Sequence, residues 1–460
     1  RRAAPRASSS AAAAGKASGK DDVFGVDLPA RYEKLQAGQA NHTLTVFVAD
    51  ESGLINRVSS VFARRGYNIE SLAVGLSNDR ALFTVVVNGN DRMIVALCKQ
   101  LRKLVNVRVV EDLTPLPRVE REMVLIKVRV TDDTRTEAMQ LVDVFRGRVV
   151  DVAEGAITAE VTGDPGKTVA AQQALARFGV LEIVRTGRVA LRRDLPGWER
   201  LLAAQQLDGE TSSSAAMGQA VSLQNLDAKG AAATDTHTAG RARPKSAAAE
   251  MASSDSDSEG DPGGDVYAVP ILDPLALAVD GPDAVRSHIL SVTVDNSAGV
   301  LNRVTAVLSR RGYNIQSLAV GPSETVGESR ITTVVPGSDG AIKNLVRQIE
   351  KLINVKEVAD ITDVPCMKRE LMLLKVGADA RSRREILDVA EIFRARCVDT
   401  SQATMCFEVT GNPKKMAAFQ QLLAPYGVLE VGRTGIVAMK RESQVDSRFL
   451  SVLRHTDRTY

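Results

Sequence analysis

Asp50-Glu51-Ser52-Gly53-Leu54-Ile55-Asn56-Arg57, followed by Arg64-Arg65-Gly66-Tyr67-Asn68-Ile69-Glu70-Ser71-Leu72-Ala73-Val74-Gly75, is a stretch that the chain writes twice. The second copy reads Asn296-Ser297-Ala298-Gly299-Val300-Leu301-Asn302-Arg303 and then Arg310-Arg311-Gly312-Tyr313-Asn314-Ile315-Gln316-Ser317-Leu318-Ala319-Val320-Gly321. Gly299 lies 246 positions after Gly53, and Gly312 the same 246 after Gly66, so no residue is gained or lost between the landmarks. A long shared block at one offset is a duplication, and the fold is therefore a repeated one.

Outward from this stretch the local signals are clear. Leu44, Val46 and Val48 alternate with Thr45 and Ala49, the period-two pattern of a half-buried strand. Asp50 to Gly53 is turn chemistry with a capping side chain on offer. Leu54, Val58, Val61 and Phe62 then fall on one helical face, and Arg64-Arg65-Gly66 closes the helix. A strand over Asn68–Val74 follows, then a strand over Ala81–Val87, a helix over Asp91–Leu104 and a strand over Asn106–Glu111. This is the ferredoxin-like β-α-β-β-α-β order. A second such unit follows: strand Glu122–Val130, helix Arg135–Phe145, strands Arg148–Val152 and Ala156–Val161, helix Pro165–Phe178, strand Val180–Leu191.

The second copy repeats both units over His288–Thr362 and Arg369–Met439. There the offset grows to 248 (Leu352 against Leu104), and the extra residues belong in the Glu324–Ser329 loop. The fold class is α+β, four tandem ferredoxin-like modules. Expected boundaries are 41–115 and 116–194 in the first half and 286–363 and 364–442 in the second. They are flanked by an N-terminal segment 1–40, a low-complexity linker 195–285 and a tail 443–460.

With 460 residues and 44% hydrophobic content, the chain can fill several cores. A net charge of +3 and 4% aromatic content give no reason to expect nucleic acid. No apolar run is long enough to cross a bilayer. Cys98, Cys366, Cys397 and Cys406 form no C-x-x-C pair, and the duplication did not copy them; they read as reduced, buried thiols. His42 and His288 are equivalent and read as strand-edge residues, and no zinc spacing occurs. Arg1 to Lys20 holds Arg, Ala, Ser and Lys with no acidic residue, which fits an organellar transit peptide and equally an ordinary disordered tail. Ser253 to Asp261 is acidic and lacks apolar anchors, so disorder is expected there, while Ile271–Val279 is the one part of the linker suited to docking.

Catalytic motifs are absent. Thr162-Gly163-Asp164-Pro165-Gly166-Lys167-Thr168 sits where a phosphate loop would, but the required earlier glycine is Val161, and the second copy, Gly411-Asn412-Pro413-Lys414-Lys415, drops the motif. Both read as helix starts with proline in the first turn. Glu120 and Glu122 read as solvated carboxylates on a strand edge.

The two stretches quoted first, with Val119-Glu120-Arg121-Glu122-Met123, Phe145-Arg146, Arg185-Thr186-Gly187 and their copies Lys368-Arg369-Glu370-Leu371, Phe393-Arg394, Arg433-Thr434-Gly435, resemble the regulatory small subunit of acetolactate synthase, also called acetohydroxyacid synthase. The duplicated form resembles the plant and green-algal type. The resemblance covers 41–193 and 288–441 and implies an ACT domain plus a smaller C-terminal domain in each half. It implies no catalysis and no cofactor of the chain's own; the expected partner is a catalytic subunit using thiamine diphosphate, Mg2+ and FAD. It further implies activation of that subunit, feedback inhibition by valine, leucine or isoleucine, self-association through ACT domains, and a chloroplast location that favours the transit-peptide reading. Two alternatives stay open: a free-standing ACT sensor for another enzyme, and an enzyme of unrecognised activity.

A glycine turn feeding a helix presents unpaired amides to a small carboxylate, or merely permits a tight bend. The resemblance implies the former. The effector's carboxylate is expected on Gly53-Leu54-Ile55 or Gly299-Val300-Leu301, and its ammonium at Asn68 or Asn314. The branched side chain is expected against apolar neighbours, Ile69 and Ile315 among them. The family pattern of Asn, Gly and Asn is kept in copy two as Asn296, Gly299 and Asn314. Copy one has Asp50 in the first place, which changes a charge beside a zwitterion. Arg146, Arg394 and the Arg-Thr-Gly stretches are candidate contacts to the catalytic subunit.

Overall fold

The structure, a computed structural model, describes residues 40–49, 51–77, 80–193 and 285–441. The N-terminal segment, Asp50, the linker with Ser253–Asp261 and Ile271–Val279, and the tail therefore lie outside the described residues.

The first half runs β1 (Ala40–Ala49), α1 (Leu54–Arg64), β2 (Ile69–Ser77), β3 (Arg80–Gly89), α2 (Asp91–Leu101), β4 (Val107–Asp112), then β5 (Arg118–Arg129), α3 (Asp132–Val144), β6 (Arg148–Val152), β7 (Ala156–Gly163), α4 (Pro165–Ala176) and β8 (Val180–Arg192). The second half repeats it: β9 (Arg286–Asp295), α5 (Val300–Arg310), β10 (Ser317–Pro322), β11 (Glu328–Gly337), α6 (Asp339–Ile349), β12 (Val355–Asp360), then β13 (Cys366–Gly377), α7 (Arg383–Ile392), β14 (Arg396–Thr400), β15 (Thr404–Gly411), α8 (Pro413–Leu423), β16 (Val428–Arg433) and β17 (Val437–Lys440). The two extra residues do fall between β10 and β11. α2 ends at Leu101 rather than Leu104, because the amides of Lys103 and Leu104 bond three residues back and tighten the last turn.

The two N-terminal modules share one eight-stranded sheet, ordered β12-β9-β11-β10-β2-β3-β1-β4. Its two halves join where β2 and β10 pair antiparallel, Leu72 opposite Val320, Ala73 opposite Ala319 and Val74 opposite Leu318. The pairing of such modules is thus met within one chain. On one face α1 and α5 lie together: Ser59 Oγ stands 3.3 Å from the Oγ1 of its own duplicate, Thr305. Leu54, Val58 and Phe62 of α1 and Val300, Val304 and Leu308 of α5 bury their apolar stripes in a shared core.

The other face is covered by the C-terminal modules, built on the sheets β6-β7-β5-β8 and β14-β15-β13-β16, with β17 continuing along β13. Phe47, Leu82 and Ala319 from above meet Met123, Leu125, Leu371 and Leu373 from below. The contact is close: a Cβ on Gly75 would stand 2.7 Å from Arg433 Cβ, and one on Gly321 would stand 2.9 Å from Arg185 Cβ. Each approach crosses between halves.

Several expectations are corrected here. Glu122 is fully buried and paired with Arg185 at 3.2 Å, and Glu120 is half-buried, accepting from Thr43 Oγ1 at 2.7 Å. Neither is a solvated edge carboxylate: β5 lies inside its sheet between β7 and β8, Glu122 is met there by Arg185 and by Thr168 of α4, and Glu120 is met by Thr43 of the upper sheet. Of the arginines of the two Arg-Thr-Gly stretches, Arg185 is buried and Arg433 half-buried. Arg433 holds Glu370 through two bonds of 2.7 Å, so these stretches do not offer guanidiniums to another protein. His42 and His288 lie inside β1 and β9, nearly buried, with Nδ1 at 3.2 Å from Asp112 and 2.9 Å from Asp360. Cys98 and Cys406 are buried free thiols, but Cys397 is exposed and Cys366 half-buried. Arg146 and Arg394 are exposed. No helix among the described residues is long and apolar enough to cross a membrane.

Candidate effector sites

α1 starts at Gly53 with φ +81° and α5 at Gly299 with φ +87°, a backbone shape that a side chain strains. Among the described residues neither helix receives a side-chain cap at its N-cap glycine, and Asp50, the expected capping side chain, lies outside them. Leu54 N donates to Glu51 O and Val300 N to Ser297 O, and helical bonding resumes at Arg57 and Arg303. The amides of Ile55 and Asn56, and of Leu301 and Asn302, are left as the orphan donors of the first turn, at the positive end of a helix dipole. That is the chemistry of a small-anion seat.

Each turn opens into a concavity of about 390 Å³ at the seam between the two halves. The concavity beside Gly53 takes Leu54, Ile55 and Asn56 from the first half and Ser309, Tyr313, Asn314 and Ile315 from the second, with Val74, Ala81 and Phe83 as its apolar wall. The one beside Gly299 takes Asn296, Val300, Leu301 and Asn302 from the second half and Ala63, Tyr67, Asn68 and Ile69 from the first, walled by Val320, Ser329 and Ile331. All the candidate effector residues named from the sequence except Asp50 line one concavity or the other. They are shuffled, however. The turn of each copy faces the asparagine of the other, so Gly299 goes with Asn68 and Gly53 with Asn314. Asn68 Nδ2 donates to Asn296 Oδ1 at 3.0 Å across the seam and to Glu70 Oε1 at 3.2 Å. Side-chain amides held by one another leave polar atoms to share with a zwitterion.

The sequence reading missed this crossing, together with Tyr67 and Tyr313, Ala63 and Ser309. It also missed the polar link beneath the sites, where Ser59 Oγ donates to Asn302 Oδ1 at 3.2 Å and Thr305 Oγ1 to Asn56 Oδ1 at 3.4 Å. The available signal was the duplication itself, since two copies of an edge strand can pair in register. Among the described residues no group of three or more His, Cys, Asp or Glu is placed to hold a metal.

Comparison with known proteins bears on both module types. A family model described as the small subunit of acetolactate synthase matches residues 121–194 and 369–442. One described as the AHAS small subunit-like ACT domain matches 44–109 and 290–357. The chain is 48% identical over 423 residues to the Arabidopsis thaliana acetolactate synthase small subunit 2, chloroplastic, covering 89% of this chain and 83% of the relative. It is 48% identical over 394 residues to the Nicotiana plumbaginifolia acetolactate synthase small subunit 1, chloroplastic, covering 83% and 82%. The Aquifex aeolicus acetolactate synthase small subunit matches at 45% over 162 residues, 35% of this chain but 84% of that relative.

Proposed function

The chain belongs to the family of acetolactate synthase small subunits and is a regulatory, non-catalytic member of it; from that premise we propose that it binds the thiamine-diphosphate-dependent catalytic subunit, raises its activity, and makes it sensitive to valine, leucine or isoleucine held at the two seam sites. Mg2+ and FAD belong to the catalytic partner in this reading. The described relatives of 48% identity are chloroplastic by name, and a plastid location is part of the proposal.

The observation that carries the reading is the pair of uncapped glycine turns, each aimed across the seam at an asparagine of the other copy. The effector's carboxylate would take the amides of Ile55 and Asn56 or of Leu301 and Asn302, and its ammonium the side-chain oxygen of Asn314 or Asn68. Its branched chain would lie against Val74 and Phe83 or Val320 and Ile331. Because each site draws on both halves, an occupied site would favour one setting of the seam over another, and an effector acts only through such a difference in affinity. Directly beneath, β2 and β10 rest on Arg433 and Arg185, so a shift of the seam has a stiff path into the C-terminal modules.

The test is acetolactate formation by the catalytic subunit with and without this chain, titrated with each branched-chain amino acid. Activation with amino-acid-dependent inhibition is expected. Full activation with no response to any of the three would remove the effector sites from the reading, and no activation at all would remove the partnership. Nothing in the fold favours the free-standing sensor or a hidden enzyme over it.

A further inference from the structure

A third concavity, of about 310 Å³, opens where the two C-terminal modules meet, and it shares no residue with either seam site. Its walls carry Arg146 and Arg148 from one module and their duplicates Arg394 and Arg396 from the other, over a floor of Glu160 and Glu408. The floor carboxylates are already answered. Arg369 Nε donates to Glu160 at 2.9 Å and Arg121 Nε to Glu408 at 2.7 Å, and Thr410 Oγ1 donates to Glu160 at 2.7 Å. Arg396 reaches Glu408 only at 4.0 Å and donates to the Arg146 carbonyl at 3.2 Å. Arg146, Arg148 and Arg394 have no carboxylate partner among the described residues.

The surplus of positive charge is felt by its neighbours. Lys167 and Lys415, which donate to the carbonyls of Thr162 and Thr410 at 2.7 Å, are held below the ordinary lysine value. Burial is the leading cause for both. Arg396 and Arg146 add to it for Lys167, against Glu408 and Asp164, and Arg148 and Arg394 add to it for Lys415, against Glu160.

Backbone shape gives an independent sign. Arg146 and Arg394 have φ of +48° and +49°, each just past a helix end. The amides of Arg146 and Arg394 bond to Asp143 and Glu391, and those of Gly147 and Ala395 to Val142 and Ala390. This is the left-handed helix-ending position that glycine fills without cost. Arginine there is strained, and it is placed there in both copies; strain kept twice at one spot points to use.

We propose that this junction binds a small multivalent phosphate anion of the pyrophosphate kind, gripped at one end by Arg146 and Arg148 and at the other by Arg394 and Arg396. Planar guanidinium forks match phosphoryl oxygens in pairs. A two-ended anion suits a site whose halves are duplicates, and a single negative charge would leave most of the surplus uncompensated.

The test is calorimetry on the full chain with inorganic phosphate, pyrophosphate, methyl diphosphate and citrate. Pyrophosphate or methyl diphosphate is expected to bind at least tenfold tighter than phosphate or citrate, with affinity falling steeply as salt rises. The tighter of the two says whether the free anion or the diphosphate arm of an ester is the natural ligand. Replacing the strained arginines by Arg146→Gly with Arg394→Gly should raise the melting temperature while weakening binding more than tenfold, so the loss cannot be ascribed to unfolding. Arg148→Gln with Arg396→Gln should weaken binding likewise. The proposal is overturned if millimolar pyrophosphate gives no heat, if citrate binds as well, or if both double variants bind as the parent does. It is also overturned if only association with the catalytic subunit suffers, which would make the junction a protein contact.

Discussion

At the Gly53 end of the seam the glycine turn faces Ser309, and at the Gly299 end the same place is held by Ala63. A Cβ on Gly53 would meet Ser309 Oγ at 2.9 Å, whereas one on Gly299 would meet only the Ala63 methyl at 3.6 Å. The apolar walls differ too: Ala81 and Phe83 at one end, Ser329 and Ile331 at the other. Glu51 beside Gly53 pairs with Arg57 at 3.0 Å, where the second copy has Ser297. The frame is common to both ends, namely an uncapped helix start, a facing asparagine and an arginine beneath the strand pair. Duplication therefore kept the groups proposed to hold the effector's carboxylate and ammonium and let drift the lining around them. In the proposed reading, two seats with one geometry and two linings would prefer different branched amino acids.

The largest test of that comparison is in the foundation. Arg433 grips Glu370 with two bonds of 2.7 Å under Gly75, whose neighbour Val74 walls the Gly53 site. Arg185 reaches Glu122 at 3.2 Å and shares itself with Gln172, under Gly321 beside Val320 of the other site. Removing one partner of a buried pair costs about 3–5 kcal/mol. Arg433→Met is expected to fall at the upper end in urea unfolding and Arg185→Met lower, since Thr168 Oγ1 still reaches Glu122 at 3.2 Å. Equal losses would mean that the two supports are equivalent.

Next come the turns. Gly53→Asp and Gly299→Asp each put a side chain at positive φ, at about 1–2 kcal/mol of backbone strain, and a negative charge where the carboxylate would sit. Each is expected to raise the inhibitor concentration at one site by more than tenfold while activation survives. Gly53→Asp should also be the less stable of the two, because Ser309 blocks its Cβ. Both variants retaining full sensitivity would break the proposed seats.

The crossing gives a smaller and more discriminating effect. A lost hydrogen bond is worth about 0.5–1.5 kcal/mol, so Asn68→Ala should weaken one response roughly two- to tenfold. If the halves cross as described, Asn68→Ala adds nothing to Gly299→Asp and adds fully to Gly53→Asp. The reverse pattern would return each site to a single copy.

How far the sequence carried these conclusions follows from the same physics. Periodicity exposed nearly every strand and helix, because each has one apolar face and the repeat supplied a second independent view of it. Gly53 and Gly299 were legible because a turn requirement is local. The partner asparagines were legible as residues but not as pairings, since which copy faces which depends on the β2–β10 register. The same blindness misplaced Glu122 and the Arg-Thr-Gly arginines: charge patterns say that a residue is polar, while burial beneath a helix or another sheet is a tertiary fact.

The finest contrast is the single oxygen that separates Ser309 from Ala63. A hydroxyl beside the first-turn amides of α1 is one more donor to a carboxylate seated there, and the methyl in its place at the other end offers none. Deleting it leaves no charge stranded and opens space for one water, so the cost is that of one net hydrogen bond or less, about 0.5–1 kcal/mol. Ser309→Ala is thus expected to weaken only the effector that depends on Gly53, by roughly two- to fivefold. It should have no effect in a chain that already carries Gly53→Asp. Ala63→Ser should strengthen the Gly299 response by a similar factor if that seat has room, which the 3.6 Å separation of Ala63 from Gly299's missing Cβ provides. Inhibition curves for the three amino acids with the paired exchange, Ser309→Ala with Ala63→Ser, decide the matter. Curves that approach one another mean that the oxygen helps set the difference between the seats; curves that stay apart leave it to Phe83 against Ile331 in the walls.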